Sequence, residues 1–232
     1  MSEVKVVRRW KPVPRPQPPR GGGANAEGAK GFRVVAIGAS TGGPSVLKQL
    51  IGDLRADFPA PILIVQHIAA GFVDGFVSWL GDTCSLPVQI ARSGERALPG
   101  RVYVAPDGVH LGVDINECVT LTPDRPNVML CPSVSHLFNS VAHCYGPHAV
   151  GVLLTGMGRD GADGMLRLKQ MGAITIAQDK ESSVVHGMPG EAIKLGAADF
   201  VLPPQRISEL LNRFARAAMP SLLLLVGCSG TK

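Results

Sequence analysis

The sequence predicts an α/β fold: a doubly wound, mainly parallel sheet with helices on both faces and one antiparallel hairpin. Three observations carry that prediction. Short β-branched runs alternate with amphipathic stretches from about residue 32 to residue 217, the rhythm of parallel strands joined by crossover helices. The first run, Val34-Val35-Ala36-Ile37, ends in the turn Gly38-Ala39-Ser40-Thr41-Gly42-Gly43 and then Pro44, which reads as strand, tight turn and helix N-terminus. In the middle, two apolar runs at 110–113 and 119–122 are separated by only five residues, too few for a crossover and suited to a hairpin.

In chain order, strand 34–37 leads to a helix over 44–55, and strand 62–66 to a helix over 73–80, before strands at 88–91 and 102–105. The hairpin then makes the predicted sheet a mixed one. Val134, Leu137, Phe138, Val141, Ala142 and Tyr145 recur at helical spacing and form one apolar face. Three more units follow: strand 150–155 with helix 160–171, strand 174–177 with helix 190–195, and strand 200–202 with helix 207–217.

Composition bounds the function. At 232 residues, 45% hydrophobic and 18% charged, the chain can bury one sizeable core. Its net charge of +5 suggests nucleic acid until it is located: six Lys and Arg against one Glu within residues 1–20 account for all of it. Residues 1–31, rich in proline and glycine, are therefore expected to be a basic arm in front of a domain over 32–217, with a tail over 218–232. The arm can be drawn to an acidic partner, but nothing else points to nucleic acid. Five cysteines without C-x-x-C spacing indicate neither a disulfide framework nor a zinc ribbon. With no signal-peptide core and no apolar run near the ~20 residues of a membrane span, a cytoplasmic setting is expected. His136, His143 and His148 are seven and five residues apart, not the i, i+4 spacing of helical metal ligands, so no metal is expected.

Ligands of open α/β sheets bind beyond the carboxyl ends of the strands. Polar residues there are the ones to collect. Ser40 follows the first strand, His67 the second, and Asp160 lies in Gly156-Met157-Gly158-Arg159-Asp160-Gly161 after strand 150–155. A hydroxyl nucleophile needs an imidazole to take its proton, and the imidazole needs a carboxylate to fix its tautomer. Ser40, His67 and Asp160 supply those parts. Two rival readings use the same letters. Gly156-x-Gly158-x-x-Gly161 after a strand, with Asp179 eighteen residues beyond Gly161, fits a dinucleotide-binding fingerprint and hence an oxidoreductase. Alternatively His186 is the base, giving the Ser-Asp-His order of α/β-hydrolases.

Several ordered segments resemble the catalytic domain of the chemotaxis receptor methylesterases, the CheB family of protein-glutamate methylesterases and glutamine deamidases. They are Ile37 to Pro44, Gln66-His67-Ile68, Gly71-Phe72, Gly94 to Gly100 with Val102 to Pro106, Pro132-Ser133-Val134, Leu154 to Ala162, and Val184 to Pro189. The resemblance implies Ser40 as nucleophile, His67 as base and Asp160 as its carboxylate, with backbone N–H groups near Thr41 and Met157 as the oxyanion hole and no cofactor. It implies a substrate, methylated glutamates on a chemoreceptor's helical bundle, and a separate receiver protein as regulator, because the usual N-terminal receiver domain is expected to be missing here. A degenerate domain serving as a receptor-binding scaffold is the non-enzymatic alternative. Two positions depart from the family's pattern: Cys131 stands for an arginine and Ser135 for an aspartate, departures expected to bear on substrate recognition more than on catalysis.

Overall fold

The structure, a computed structural model, describes residues 31–123 and 130–218. The arm and tail expected from the sequence lie outside the described residues, apart from Gly31 and Ala218. Among the described residues nine strands and six α-helices follow one another as β1 (Val34–Ala39), α1 (Gly43–Gly52), β2 (Ile62–Gln66), α2 (Val73–Gly81), β3 (Val88–Ile90), β4 (Val102–Val104), β5 (Val109–Val113), β6 (Val119–Pro123), α3 (Val134–Tyr145), β7 (Ala149–Leu153), α4 (Ala162–Gln170), β8 (Ile174–Gln178), α5 (Met188–Lys194), β9 (Phe200–Leu202) and α6 (Pro204–Ala218).

Seven strands form one sheet in the order β3-β4-β2-β1-β7-β8-β9, and every pairing in it is parallel. β1 is central, so it is apolar along its whole length and buried at every position. Its side chains alternate between two cores. Val35, Ile37 and Ala39 join α1, α2 and α6 on one face, while Val34 and Ala36 join α3, α4 and α5 on the other. In α3 the six residues read from the sequence as an apolar face are all buried, each of the larger ones worth about 1.5–3 kcal/mol of burial.

The expectation of a mixed sheet needs correcting. β5 and β6 pair antiparallel as a two-stranded sheet of their own. The reason is where their apolar face goes: Leu111, Val113 and Val119 pack into the core that α3 covers, instead of extending the large sheet's edge. The last helix also starts earlier than its apolar pattern, at Pro204, a residue suited to the first turn because its missing N–H has no intrahelical partner there. Among the described residues no helix is long and apolar enough to cross a membrane.

The order of strands fixes where a site can form. The chain leaves β1 toward β2, β4 and β3, then returns to lay β7 against the other side of β1. In open α/β sheets such a reversal marks the place for ligands, beyond the carboxyl ends of the flanking strands, here β1 and β7. Ser40 and Asp160 follow those two strands, and His67 follows β2.

Candidate active site

Ser40 emerges where β1 turns into α1, and Gly42 makes the turn possible with φ of 80°, a backbone region that favours glycine. The turn is held from both sides. Ser40 N–H donates to Thr155 O at 3.0 Å, and His67 N–H donates to Ala39 O at 2.9 Å. Because Ala39 pairs with Gln66 in register, Ser40 and His67 leave their strands at the same level. Gln66 ties them further: buried at 4% exposure, its Nε2 donates to Ser40 O at 3.0 Å and to His67 O at 2.8 Å.

Asp160 is held by more bonds than any other acid in the site. Its Oδ2 accepts from His67 Nε2 at 3.0 Å and from Val134 N–H at 2.7 Å. Its Oδ1 accepts from Ser133 Oγ at 2.9 Å and from Ser135 N–H at 3.0 Å. The carboxylate therefore sits on the N-terminus of α3, where unpaired N–H groups and the helix dipole favour negative charge. Burial alone pushes its pKa up, yet the His67 bond and the Ser135 and Val134 N–H groups outweigh it and hold the carboxyl well below its usual range.

With Nε2 of His67 committed to Asp160, Nδ1 is the ring nitrogen left to meet the Ser40 hydroxyl. Ser40 is half-buried, and its Oγ makes no hydrogen bond to another described residue, as is common in unliganded sites whose contacts tighten with substrate. Thr41 is exposed and Met157 is 76% exposed. Neither backbone N–H donates to another described residue, so both can serve an oxyanion.

The sequence model of the CheB methylesterase family matches residues 35–211. The chain belongs to that family. It is 54% identical over 223 residues to protein-glutamate methylesterase/protein-glutamine glutaminase 1 of Syntrophus aciditrophicus, covering 95% of this chain and 64% of that protein. A namesake numbered 4 from Geobacter metallireducens is 52% identical over 220 residues, covering 93% and 62%. The crystal structure of the Thermotoga maritima CheB methylesterase catalytic domain superimposes with a TM-score of 0.74 at 41% identity, covering 78% of this chain and 97% of that one. The chain spans less than two thirds of the length of the curated relatives it matches.

Within this CheB-family fold the rival readings lose their geometry. His186 makes no hydrogen bond to Asp160, whose partners are all accounted for above, and its Nε2 is buried without a partner. The glycine loop suits a pyrophosphate poorly, because Asp160 precedes the N-cap of α4 and Asp163 lies in its first turn, two carboxylates where phosphate charge would sit. Asp179 is used locally, accepting from Ser182 N–H at 3.0 Å. Among the described residues no group of three or more His, Cys, Asp or Glu gathers as a metal site.

Three residues that matter here escaped the sequence reading. In the sequence Gln66 and Ser133 stand out only as parts of segments that resemble the family. The signal for Ser133 was present, since a serine just before a helical apolar face is an N-cap, and its Oγ does accept from His136 N–H at 3.3 Å. Ser135, one of the two departures from the family's pattern, is half-buried beside Asp160, to which its backbone N–H donates, and its Oγ accepts from Gly161 N–H at 2.8 Å. The departure at 135 thus bears on how the carboxylate is held.

Proposed function

We propose that this chain is the esterase part of a protein-glutamate methylesterase: a serine hydrolase, acting in the cytoplasm, that removes methyl esters from glutamates on the helical bundle of a chemoreceptor. The observation that carries the reading is the 3.0 Å bond between His67 Nε2 and Asp160 Oδ2, made at the level where the adjacent strand ends in Ser40. Family membership and the activity for which its relatives are named support the substrate class.

The mechanism follows from the parts. Ser40 Oγ attacks the ester carbonyl while His67 Nδ1 takes its proton, and Asp160 stabilises the imidazolium. The negative charge that develops on the carbonyl oxygen meets the N–H groups of Thr41 and Met157. The tetrahedral adduct expels methoxide, which takes the proton from His67 and leaves as methanol. Water, deprotonated by the same imidazole, then attacks the glutamyl ester on Ser40 and releases the free glutamate. A glutamine side chain follows the same path with ammonia as the leaving group. Beside Ser40, Val184 stands against Gly42 and Met157 follows Gly156, and both are largely exposed at 69% and 76%, apolar groups that suit the face of a packed receptor helix.

The test is methanol release from radiomethylated receptor membranes, together with labelling by a fluorophosphonate probe. Ser40→Ala is expected to lose both, turnover falling roughly ten-thousand-fold, with an unchanged melting temperature. Undiminished turnover in Ser40→Ala removes the assignment of the nucleophile. An unlabelled native chain that still binds receptor would make the domain a scaffold.

A further inference from the structure

We propose that His110 is a positioning residue of the hydrolytic site, acting through the start of α3 on Asp160; the proposal rests on the hydrolase reading above. A helix begins with four N–H groups that have no partner within it, and in α3 they fall on Ser133, the N-cap, and on Val134, Ser135 and His136. Three of them are already placed. Val134 and Ser135 donate to Asp160, and His136 donates to Ser133 Oγ. The fourth, Ser133 N–H, donates to Nδ1 of His110 at 3.1 Å.

His110 lies on β5, in the hairpin that stands apart from the main sheet, and is 4% exposed. Its ring stacks on His136, with centroids 4.9 Å apart and planes 18° from parallel. The first turn of α3 is thus gripped twice from one histidine, once through a backbone N–H and once through a ring. Accepting that N–H requires the lone pair of Nδ1, so the imidazole acts in its neutral form with its proton on Nε2.

The grip reaches the catalytic pair in three bonds. Ser133 N–H is fixed on His110, Ser133 Oγ donates to Asp160 Oδ1 at 2.9 Å, and Asp160 Oδ2 takes the His67 Nε2–H at 3.0 Å. Ser133 holds an extended backbone, φ −108° and ψ 132°, and that conformation aims its hydroxyl at the carboxylate while its N–H faces the hairpin. Without an acceptor at the Nδ1 position, the half-buried Ser133 N–H is left unpaired, a cost that the helix start relieves by shifting. Since two N–H groups of that same turn hold Asp160, the carboxylate shifts with it. Small displacements of this kind reach the chemistry as a loss of rate more than of binding.

Three variants in the full chain separate positioning from packing. His110→Asn puts a side-chain acceptor where Nδ1 was. His110→Gln carries its amide past that point, and His110→Phe keeps the ring with no acceptor. The first readout needs no substrate: the ring nitrogen and proton NMR resonances of His67, which report the Nε2–H tautomer bonded to Asp160. They are expected to stay at native positions in His110→Asn and to move in the other two. The second readout is methanol release, with kcat expected to fall roughly tenfold in His110→Gln and His110→Phe at a KM within about twofold of native, and to recover most of its value in His110→Asn. Native resonances and native kcat in all three variants would overturn the proposal. So would an equal loss in His110→Asn and His110→Phe, which marks a packing role. If His110→Phe does not fold, the contrast between Asn and Gln decides alone. A native chain that releases no methanol removes the methylesterase reading, and the His67 resonances still decide the positioning.

Discussion

Gly156 stands so close to Ser40 that a Cβ added to the glycine would lie 2.7 Å from the serine Cβ and 2.3 Å from Met188 Sδ. The first glycine of the loop after β7 is therefore a contact surface for the residue at the tip of β1. Its backbone conformation is not left-handed, so the requirement for glycine here is one of space. The Gly156 N–H donates to Val185 O at 2.9 Å and its carbonyl accepts from Met188 N–H at 2.9 Å, which leaves the loop no slack to retreat.

Gly156→Ala is accordingly expected to cost about 1–3 kcal/mol of stability and to depress methanol release by displacing Ser40. Gly75→Ala is the control: it lies in α2 with no heavy atom within 4 Å of the added Cβ, and alanine there should stabilise by about 0.4–1 kcal/mol without altering turnover. Thermal unfolding and the methanol assay on both variants check the pair. Native turnover in Gly156→Ala would show that the β7 loop does not set the position of Ser40.

Asp160 links the site to acid stability. Its carboxyl is held well below the ordinary aspartate pKa by His67 and the α3 N–H groups, against the upward push of burial. An unfolded aspartate titrates near ~3.9, so below that value the unfolded chain binds the extra proton first. The contribution of the folded carboxylate is then complete above about pH 5 and is lost as pH falls through the folded value. Asp160→Asn should be less stable than native by about 2 kcal/mol at neutral pH, and the gap should close as pH drops below about 4. Denaturant unfolding of both chains from pH 7 to pH 3 checks this, and a gap that widened toward acid would show that the carboxylate is not the stabilising partner.

How far the site was legible depends on how far apart in sequence its parts lie. Ser40 and His67 end consecutive parallel strands, so one register, Ala39 with Gln66, places them side by side and the reading could reach it. The neighbour of β1 on its other side is β7, more than a hundred residues on, and no local pattern announces that pairing. The seat of Asp160 was hidden for the same reason: Ser133, Val134 and Ser135 precede it by 25 to 27 residues, across α3 and β7. The hairpin is legible from the five residues between its two runs, but an apolar face serves a sheet edge or a helix equally well, and only its packing with α3 decides between them.

A nicotinamide dinucleotide should not bind despite Gly156-x-Gly158-x-x-Gly161. The helix start where pyrophosphate belongs has Asp160 beside it and Asp163 in its first turn, and both carboxylates repel a phosphate there. A ligand of the folded state at a hundred times its Kd adds about 2.7 kcal/mol of stability, a shift readily seen in a thermal scan. NAD and NADP in millimolar excess are expected to leave the melting temperature unchanged, and a saturable rise would restore the oxidoreductase reading.

The two histidines make opposite predictions about the base. His67 donates through Nε2 to Asp160, and in the proposed mechanism its Nδ1 serves the hydroxyl of Ser40. His186 is bound into the loop differently. Its backbone forms an isolated parallel bridge with Gly156, and a Cβ on Gly190 would lie 2.9 Å from its Nδ1, so its ring is packed against α5. The buried, unpartnered Nε2 gains nothing from being polar there. His67→Ala should therefore lose nearly all methanol release, roughly ten-thousand-fold, and should stop labelling by the fluorophosphonate probe. His186→Phe should keep most of both, at a stability within about 1.5 kcal/mol of native because an aromatic of similar volume takes the same space. The measurement is kcat and the labelling rate for each variant under one set of conditions. If His186→Phe falls as far as His67→Ala while remaining folded, the base is His186, and the bond between His67 and Asp160 is structural.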